Sequence, residues 1–252
     1  MTSPWSDESL LELFDEVADS CGAAVEAMAD RRVPGLRTGQ YGLDLRADEA
    51  ALAILDRVGV GVLSEESGLR RADAPVVVIM DPIDGSTNAS RRIPWYATSL
   101  CAVDSDGARV ALVQNLATGA TYRAIRGQGA TLDGEPIHPS PVVNLNSAVV
   151  LLSGYPPEHL GWRQFRTLGA AALDMCAVAS GSMDAFVDCS FDAHGVWDYA
   201  AAVLVCQEAG AQVDDALGRP LIVLDPAARR SPVVSATSVL HGVLVPARLR
   251  WR

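Results

Sequence analysis

The stretch Pro75-Val-Val-Val-Ile-Met80, followed by Asp81-Pro-Ile-Asp-Gly-Ser-Thr-Asn88, determines how the rest of the sequence is interpreted. Its first half is a continuous β-branched run, which predicts a strand buried on both faces. We expect this strand to end at Asp81-Pro82, because proline cannot continue a central ladder. Two carboxylates therefore stand three residues apart where a buried strand stops, with a proline between them and a glycine after them.

The chemistry of this stretch favours a metal and a phosphate. Hard cations take several oxygen ligands, and the carboxylates of Asp81 and Asp84 with nearby backbone carbonyls supply such oxygens. The N–H and hydroxyl groups of Gly85-Ser-Thr87 are donors for a phosphate, especially if they open a helix. The alternative is a surface turn rich in Asp, Gly and Ser. The apolar run that leads into the stretch argues against that alternative.

Three more acidic residues occupy comparable positions. Glu65 and Glu66 follow a short predicted strand over 60–63, and Asp198 begins an apolar helix. Taken singly, the glutamates are typical of a solvated surface and the aspartate of a helix cap. Together with Asp81 and Asp84, however, they supply enough carboxylates for the four acidic ligands that a two-metal site requires.

Composition and charge limit the functional class. The chain has 252 residues, 49% of them hydrophobic and 20% charged, which is ordinary for a soluble globular protein. A net charge of −11 argues against non-specific nucleic-acid binding, which needs a basic surface. The five scattered cysteines fit buried free thiols, the first eight residues lack a signal-peptide pattern, and no apolar run approaches the ~20 residues that span a bilayer. We therefore expect a cytoplasmic protein that does not bind membranes.

Hydrophobic spacing predicts an α+β fold of layered sheets and helices. A helical stripe runs from Leu10 to Met28 with Ser6 as its cap, and a second helix is expected over 47–58. Three antiparallel strands are expected over 96–103, 109–115 and 120–125. Beyond the turn-rich segment 133–141, we predict a strand over 148–152, a helix over 168–179, a strand over 185–187 and a helix over 197–209. The boundary predicts two subdomains, residues 1–140 with most of the acidic ligands and residues 141–252 with Asp198.

Several blocks together resemble the inositol monophosphatase family. They are Leu63-Ser-Glu-Glu-Ser67, Asp81-Pro-Ile-Asp-Gly-Ser86, Trp197-Asp-Tyr-Ala-Ala201 with Glu208-Ala-Gly210, Arg166-Thr-Leu-Gly-Ala-Ala-Ala-Leu-Asp-Met-Cys176, and Gly127-Gln-Gly-Ala130 with Asp133-Gly134. They occur in the family's order and cover most of residues 5–215. The resemblance implies the layered α-β-α-β-α sandwich of the inositol monophosphatase and fructose-1,6-bisphosphatase type.

The resemblance also implies a metal site that holds two or three Mg²⁺ ions. The first ion would be held by Glu65, Asp81 and the backbone carbonyl of Ile83. The second would be held by Asp81, Asp84 and Asp198, so that Asp81 bridges the two. Glu65 would also help to hold a third, weaker ion through water.

For catalysis, the resemblance implies that Asp48 and the Ser86 hydroxyl orient and deprotonate the attacking water. The amides of Gly85 and Ser86 would contact the phosphate, and Asp188 would bind substrate hydroxyls. Arg166 is a candidate for a second anionic group, although an arginine at a helix entry more often packs or pairs with a carboxylate.

The sequence departs from the family pattern at four places. Ser86 replaces the usual threonine, Ala89 replaces a common aromatic residue, and Arg46 stands where threonine is frequent. Three extra residues separate Asp188 from Trp197. The resulting loop contains His194, which either contacts substrate or has no role.

The resemblance implies a magnesium-dependent phosphatase, with myo-inositol 1-phosphate as its default substrate. The alternatives are fructose 1,6-bisphosphate, histidinol phosphate and 3′-phosphoadenosine 5′-phosphate. A further alternative is a catalytically silent relative that binds metal or a partner protein. Lithium sensitivity and a homodimer are also expected from the family.

Overall fold

A computed structural model describes residues 5–251 of the chain. The first helix, α1, spans Asp7–Glu26 and has Ser6 as its N-cap, whose side chain accepts a hydrogen bond from the N–H of Ser9. Its buried stripe, which includes Phe14 and Cys21, follows the spacing that the sequence shows. The prediction for this helix is confirmed, with its end at Glu26 rather than Met28. Residues 1–4, part of the stretch used to exclude a signal peptide, lie outside the described residues.

The second helix, α2, spans Gly42–Val58 and so begins five residues before the predicted start. The N–H of Tyr41 donates to Asp44 Oδ2 at 2.8 Å, which stabilises the first turn. Gly59 ends the helix in the left-handed conformation, at φ 79°. The early start places both Asp44 and Asp48 on this helix.

An eight-stranded mixed sheet forms the first half of the chain. Its order is β2-β1-β3-β4-β5-β6-β7-β8, with β1 and β3 parallel and the other neighbours antiparallel. The strands are β1 (Gly61–Ser64), β2 (Gly68–Arg70), β3 (Val77–Asp84), β4 (Ala97–Asp104), β5 (Gly107–Asn115), β6 (Thr121–Ile125), β7 (Gly129–Leu132) and β8 (Glu135–Pro136). A short helix, α3 (Ser86–Arg91), follows β3.

The prediction that β3 ends at Asp81 is wrong. The strand continues through Pro82 to Asp84, which pairs with Ala97 of β4. The register shifts between Asp81 and Asp84, so the proline occupies an irregular part of the ladder where its missing N–H is tolerated.

A five-stranded sheet forms the second half, in the order β10-β9-β11-β13-β12. The strands β10, β9 and β11 are parallel to one another, and β13 is antiparallel to both β11 and β12. The remaining elements are β9 (Val149–Ser153), β10 (Gln164–Arg166), α4 (Ala171–Ala179), β11 (Ala185–Asp188), α5 (Ala200–Ala209), β12 (Gln212–Asp215), β13 (Pro232–Ser235) and α6 (Ser238–Leu249). The predicted helix over 197–209 is divided, because a 3₁₀ turn over Val196–Asp198 precedes α5.

Five layers of helices and sheets pack around three hydrophobic cores. One core lies between the pair α1 and α2 and one face of the first sheet, and includes Phe14, Leu55 and Met80. The central core joins the other face of that sheet to α4, α5 and the second sheet. The third core lies between the second sheet and α6, where Leu240 and Leu244 are buried. The molecule is therefore an α-β-α-β-α sandwich, as the resemblance implied.

The five cysteines are free and four of them are buried. Within residues 5–251, no helix is both long and apolar enough to cross a membrane. The boundary at 140/141 falls between the last strand of the first sheet and the first strand of the second. The division into subdomains over 1–140 and 141–252 stays a prediction.

Candidate metal centre

Three carboxylates from distant parts of the chain meet at one end of the first sheet. Glu65 follows β1, Asp81 lies within β3, and Asp198 ends the 3₁₀ turn before α5. One carboxylate oxygen from each of the three lies within 4.8 Å of the others. Because β1 and β3 are parallel neighbours, residues at their carboxyl ends meet at the same edge of the sheet. The sequence argument requires Asp84 in the same group, and that full set of four ligands stays a prediction.

The electrostatics of the cluster are unfavourable without a cation. Asp81 is 2% exposed, and burial, followed by the charges of Glu65 and Asp84, raises its pKa well above the usual value. Desolvation and then the charge of Asp198 raise the pKa of Glu65 to about 8, although part of this side chain is exposed. Like charges held together away from water disfavour ionisation. A bound divalent cation would reverse this effect.

Asp84 is close to the cluster but is held by a helix. Its two oxygens accept the N–H groups of Ala171 at 3.1 Å and Ala172 at 2.7 Å, which are the first residues of α4. Burial and then the charge of Asp198 raise the pKa of Asp84 to about 8 in spite of these bonds. The N–H of Ile83, which is buried, donates to Asp81 Oδ1 at 2.9 Å. The turn is therefore fixed on both sides by backbone donors.

The structure places Asp44, rather than Asp48, beside Ser86. Asp48 accepts hydrogen bonds from the hydroxyls of Ser64 and Ser67, at 2.5 and 3.3 Å. Burial raises the pKa of Asp44 to about 7, against the lowering effect of the Tyr41 N–H and, less strongly, of the nearby Ser86 hydroxyl. Asp44 Oδ1 is buried without a hydrogen-bond partner among the described residues. The pairing of Asp48 with Ser86 therefore does not appear in the structure.

Gly85 is required for the turn that carries Ser86. It has φ 84° and precedes α3 as its N-cap. A Cβ atom at this position would lie 3.0 Å from the carbonyl oxygen of Gly169 and 3.0 Å from the Cβ of Ala170. Both the left-handed backbone and the close approach exclude a side chain. Thus the segment after β3 packs directly against the entry to α4.

His194, in the loop with extra residues, lies between two carboxylates. Its Nδ1 is 3.1 Å from Asp198 Oδ2, and its Nε2 is 3.0 Å from Ser153 Oγ and 3.7 Å from Asp188 Oδ1. Burial alone would lower the pKa of His194, but the hydrogen bond and charge of Asp198 raise it to about 9. The structure therefore favours an interpretation in which His194 belongs to the site over one in which it has no role.

Two residues expected to bind substrate, Asp188 and Arg166, do not line the cavity beside the metal cluster. Asp188 is fully buried, accepts the N–H of Ser190 at 2.9 Å, and has an Oδ2 without a partner among the described residues. Arg166 is exposed at the end of β10 and donates to the carbonyl of Phe165 and to Gln164 Oε1, both at 2.8 Å. Neither lines the cavity of about 150 Å³ beside the cluster, which is bounded by Asp84, Ser153, Gly169, Ala170, Ala171, Asp174, His194 and Asp198.

Sequence reasoning missed Asp44, Ser153 and Asp174. Asp44 carried a usable signal, since an aspartate in the first turn of a helix is favourable and would have moved the start of α2 earlier. Asp174 lies inside an apolar helix and accepts a hydrogen bond from Trp95 Nε1 at 2.7 Å. Ser153 had no local signal, because only the pairing of β9 with β11 brings it to the site.

This chain is similar to known proteins in both sequence and structure. Residues 43–250 match the model of the inositol monophosphatase family. A fructose-1,6-bisphosphatase/inositol-1-monophosphatase of Archaeoglobus fulgidus is 35% identical over 225 residues, covering 85% of this chain and 88% of the relative. A bifunctional NADP phosphatase/NAD kinase of Methanocaldococcus jannaschii is 30% identical, and the match covers 81% of this chain but 43% of that protein.

A solved structure from Pyrococcus horikoshii, described as having similarities to inositol-1 monophosphatase, has a TM-score of 0.86 to this chain. The match covers 98% of this chain and 99% of that one, at 23% sequence identity. At this identity the likeness concerns the fold.

Proposed function

The chain belongs to the inositol monophosphatase family and is a phosphatase, and from that premise we propose that it hydrolyses a small phosphorylated alcohol with Mg²⁺. The observation that carries the proposal is the convergence of Glu65, Asp81 and Asp198 within 4.8 Å. The first candidate substrate is myo-inositol 1-phosphate, which would yield inositol and phosphate.

The donor set fits Mg²⁺. All three side chains offer oxygen atoms, which this hard cation prefers, and the raised pKa values of Glu65 and Asp81 indicate charge that a cation would neutralise. We propose that Glu65, Asp81 and the Ile83 carbonyl hold one ion and that Asp81, Asp84 and Asp198 hold a second, with a third ion near Glu65. When bound, such ions neutralise the phosphate and lower the pKa of an attacking water.

Asp44 and Ser86 would handle the proton of the nucleophile. A water hydrogen-bonded to Ser86 Oγ and Asp44 Oδ1 would lose its proton to Asp44, whose pKa of about 7 suits a base at neutral pH. This assignment replaces Asp48, whose carboxyl group is engaged by Ser64 and Ser67. The serine at position 86 keeps the hydroxyl that this role needs.

The phosphate would be positioned by the turn after β3. The left-handed Gly85 lets the chain turn sharply, and its amide and that of Ser86 would donate to phosphate oxygens. Most of the catalytic demand of phosphoryl transfer is positioning and charge neutralisation, which rigid backbone donors can supply.

The alcohol side would be bounded by the loop that carries His194. Ser153 and His194 line the cavity beside Asp198, whereas Asp188 is buried behind them and Arg166 lies elsewhere. We therefore propose that His194 and Ser153, rather than Asp188, contact the leaving alcohol. A cytoplasmic homodimer that is inhibited by lithium, which would compete for the second metal position, also belongs to this proposal.

A substrate panel tests the proposal. It comprises myo-inositol 1-phosphate, fructose 1,6-bisphosphate, histidinol phosphate and 3′-phosphoadenosine 5′-phosphate, with NADP added because one relative is named for it. β-Glycerophosphate serves as a generic ester, and each assay is run with Mg²⁺ and with a chelator. We expect phosphate release that requires Mg²⁺ and that is fastest for one ester. Absence of metal-stimulated release from every ester would refute the proposal.

A further inference from the structure

The turn that carries Asp198 has little regular structure of its own. Residues Val196–Asp198 form a single 3₁₀ turn between the loop of His194 and α5. Asp198 Oδ2 accepts the N–H of Gly195 at 2.8 Å and lies 3.1 Å from His194 Nδ1. Because a metal ligand on so short an element is not held by a long helix or strand, its orientation depends on the residues packed around it.

The ring of Trp197 packs directly against the backbone of Gly195. A Cβ atom at Gly195 would lie 2.5 Å from Trp197 Cζ2 and 2.8 Å from its Nε1, so no side chain fits between them. Trp197 is 8% exposed and belongs to the central core. The N–H of Gly195 holds Asp198 Oδ2, and a shift of the ring would therefore move a donor to this carboxylate.

Arg229 lies over the same ring. It belongs to the connection between β12 and β13, residues 216–231. Its Cζ is 5.2 Å from the centroid of the Trp197 ring, within the distance of about 6 Å at which a cation and an aromatic face attract each other. Its Nη1 donates to the carbonyls of Pro226 and Ala228, both at 2.9 Å. These bonds hold the guanidinium in place beside the ring.

Two further contacts join the same connection to the turn. The N–H of Arg230 donates to the carbonyl of His194 at 3.0 Å, and the hydroxyl of Tyr199 donates to the carbonyl of Leu221 at 3.1 Å. Tyr199 is fully buried. The connection therefore contacts the chain before Asp198, next to it and after it.

Resting on the proposed function, we propose that Arg229 is a positioning residue for the metal centre: its guanidinium holds the Trp197 ring against Gly195 and so orients the carboxylate of Asp198 toward a cation. Loss of a residue that orients a metal ligand lowers metal affinity or activity about 10- to 100-fold. Coulomb's law alone gives the opposite sign, because removal of a positive charge near a cation site favours cation binding. The direction of the effect therefore separates positioning from long-range charge.

Direct metal binding is the first test. Mn²⁺ is titrated by calorimetry into the metal-free, full-length wild type, Arg229→Ala, Arg229→Lys and Arg230→Ala. We expect the affinity to fall about ten-fold in Arg229→Ala and to stay within about three-fold of the wild type in Arg229→Lys, which keeps a cation for the ring.

Arg230→Ala is the matched control. It removes the same charge one residue away, where the side chain donates to the carbonyls of Pro220 and Arg229, and it keeps the backbone N–H that binds His194. We expect Mn²⁺ affinity equal to that of the wild type or higher. Equal or tighter binding in Arg229→Ala, or the same weakening in Arg230→Ala, would overturn the positioning role and leave the proposed function standing.

Hydrogen exchange of the metal-free protein separates this role from the proposed function. We expect the backbone N–H groups of residues 195–199 to exchange about five-fold faster in Arg229→Ala than in the wild type, Arg229→Lys or Arg230→Ala, with exchange in α1 unchanged. Unchanged exchange at the turn, or an equal acceleration in α1, would overturn the role of Arg229. If the wild type binds no Mn²⁺ but this local difference is observed, the proposed function is refuted and the hold of Arg229 on the turn stands.

Discussion

Two buried aspartates, Asp81 and Asp215, are almost equally hidden from solvent but have opposite surroundings. Asp215 accepts hydrogen bonds from the guanidinium of Arg219 at 2.7 and 2.9 Å and from the N–H of Ser231 at 2.9 Å. Burial raises its pKa, but these bonds outweigh burial and lower it. Asp81 has the N–H of Ile83 and otherwise faces Glu65 and Asp84, which raise its pKa further. One carboxylate stabilises the fold, and we propose that the other binds a cation.

The largest expected effect is on catalysis at Asp81. Asp81→Asn removes the carboxylate shared by both proposed metal positions, so Mg²⁺-dependent hydrolysis should fall about 1,000-fold or more. The same change removes a like charge from the cluster, so the metal-free variant should unfold at an equal or higher urea concentration than the wild type. Turnover near that of the wild type would contradict the role of Asp81.

Asp44 and Asp48 form the next sharpest comparison, because they lie one turn apart on α2 and only one meets Ser86. Asp44→Asn should lower kcat about 100-fold, the loss expected when a general base is removed. It should also abolish the limb of the pH–rate profile near pH 7. Asp48→Asn is the matched control, with kcat expected within about three-fold of the wild type. The reverse ranking would restore Asp48 as the base.

Asp215 should behave in the opposite way to Asp81. Asp215→Asn breaks the charge pair with Arg219, whose side chain is 30% exposed and therefore partly screened. We expect a loss of about 2 kcal/mol in the free energy of unfolding, measured with urea, and kcat per folded molecule within about two-fold of the wild type. A variant of unchanged stability and abolished activity would remove the distinction between the two aspartates.

The smallest effect is on the pH dependence of stability. Glu65 and Asp84 have native pKa values of about 8 against unfolded values of 4.5 and 3.8, so the native state binds protons more tightly. Stability of the metal-free protein is therefore lost as pH rises from about 4 through about 8, and His194, with a pKa of about 9, acts in the same direction. Asp215, whose pKa is lowered, contributes nothing to the slope above pH 6.

Thermal unfolding with a chelator should therefore give a lower Tm at pH 9 than at pH 6. Saturating Mg²⁺ should shrink this difference, because it stabilises the ionised carboxylates. A Tm that rises with pH in the metal-free protein would contradict the arrangement of charges described for the cluster.

The sequence predicted much of the fold because its signals were local. The β-branched run before Asp81 and the amphipathic stripe of α1 each depend on neighbours in the chain, and both elements formed. The family resemblance supplied the five-layer order, which hydrophobic spacing alone does not determine. The extension of β3 through Pro82 was missed, because a register shift in the ladder tolerates the proline.

The candidate site was less predictable where it depends on tertiary packing. Glu65, Asp81 and Asp198 could be proposed together because each follows or begins a regular element. The sequence argument chose Asp48 instead of Asp44, which lies one helical turn earlier. The start of α2 depends on a hydrogen bond between Asp44 and the N–H of Tyr41, and the sequence does not show that bond. The placement of His194 beside Asp198 requires the fold of a loop that carries no regular pattern.

The central claim is that three distant carboxylates hold a divalent cation. Crystals grown with Mn²⁺ in place of Mg²⁺, with data collected at the manganese absorption edge, test it most directly. We expect anomalous density between the carboxylates of Glu65, Asp81 and Asp198, with metal–oxygen distances of about 2.1 Å. A map with full side-chain density and no anomalous peak among these three residues at saturating Mn²⁺ would contradict the account.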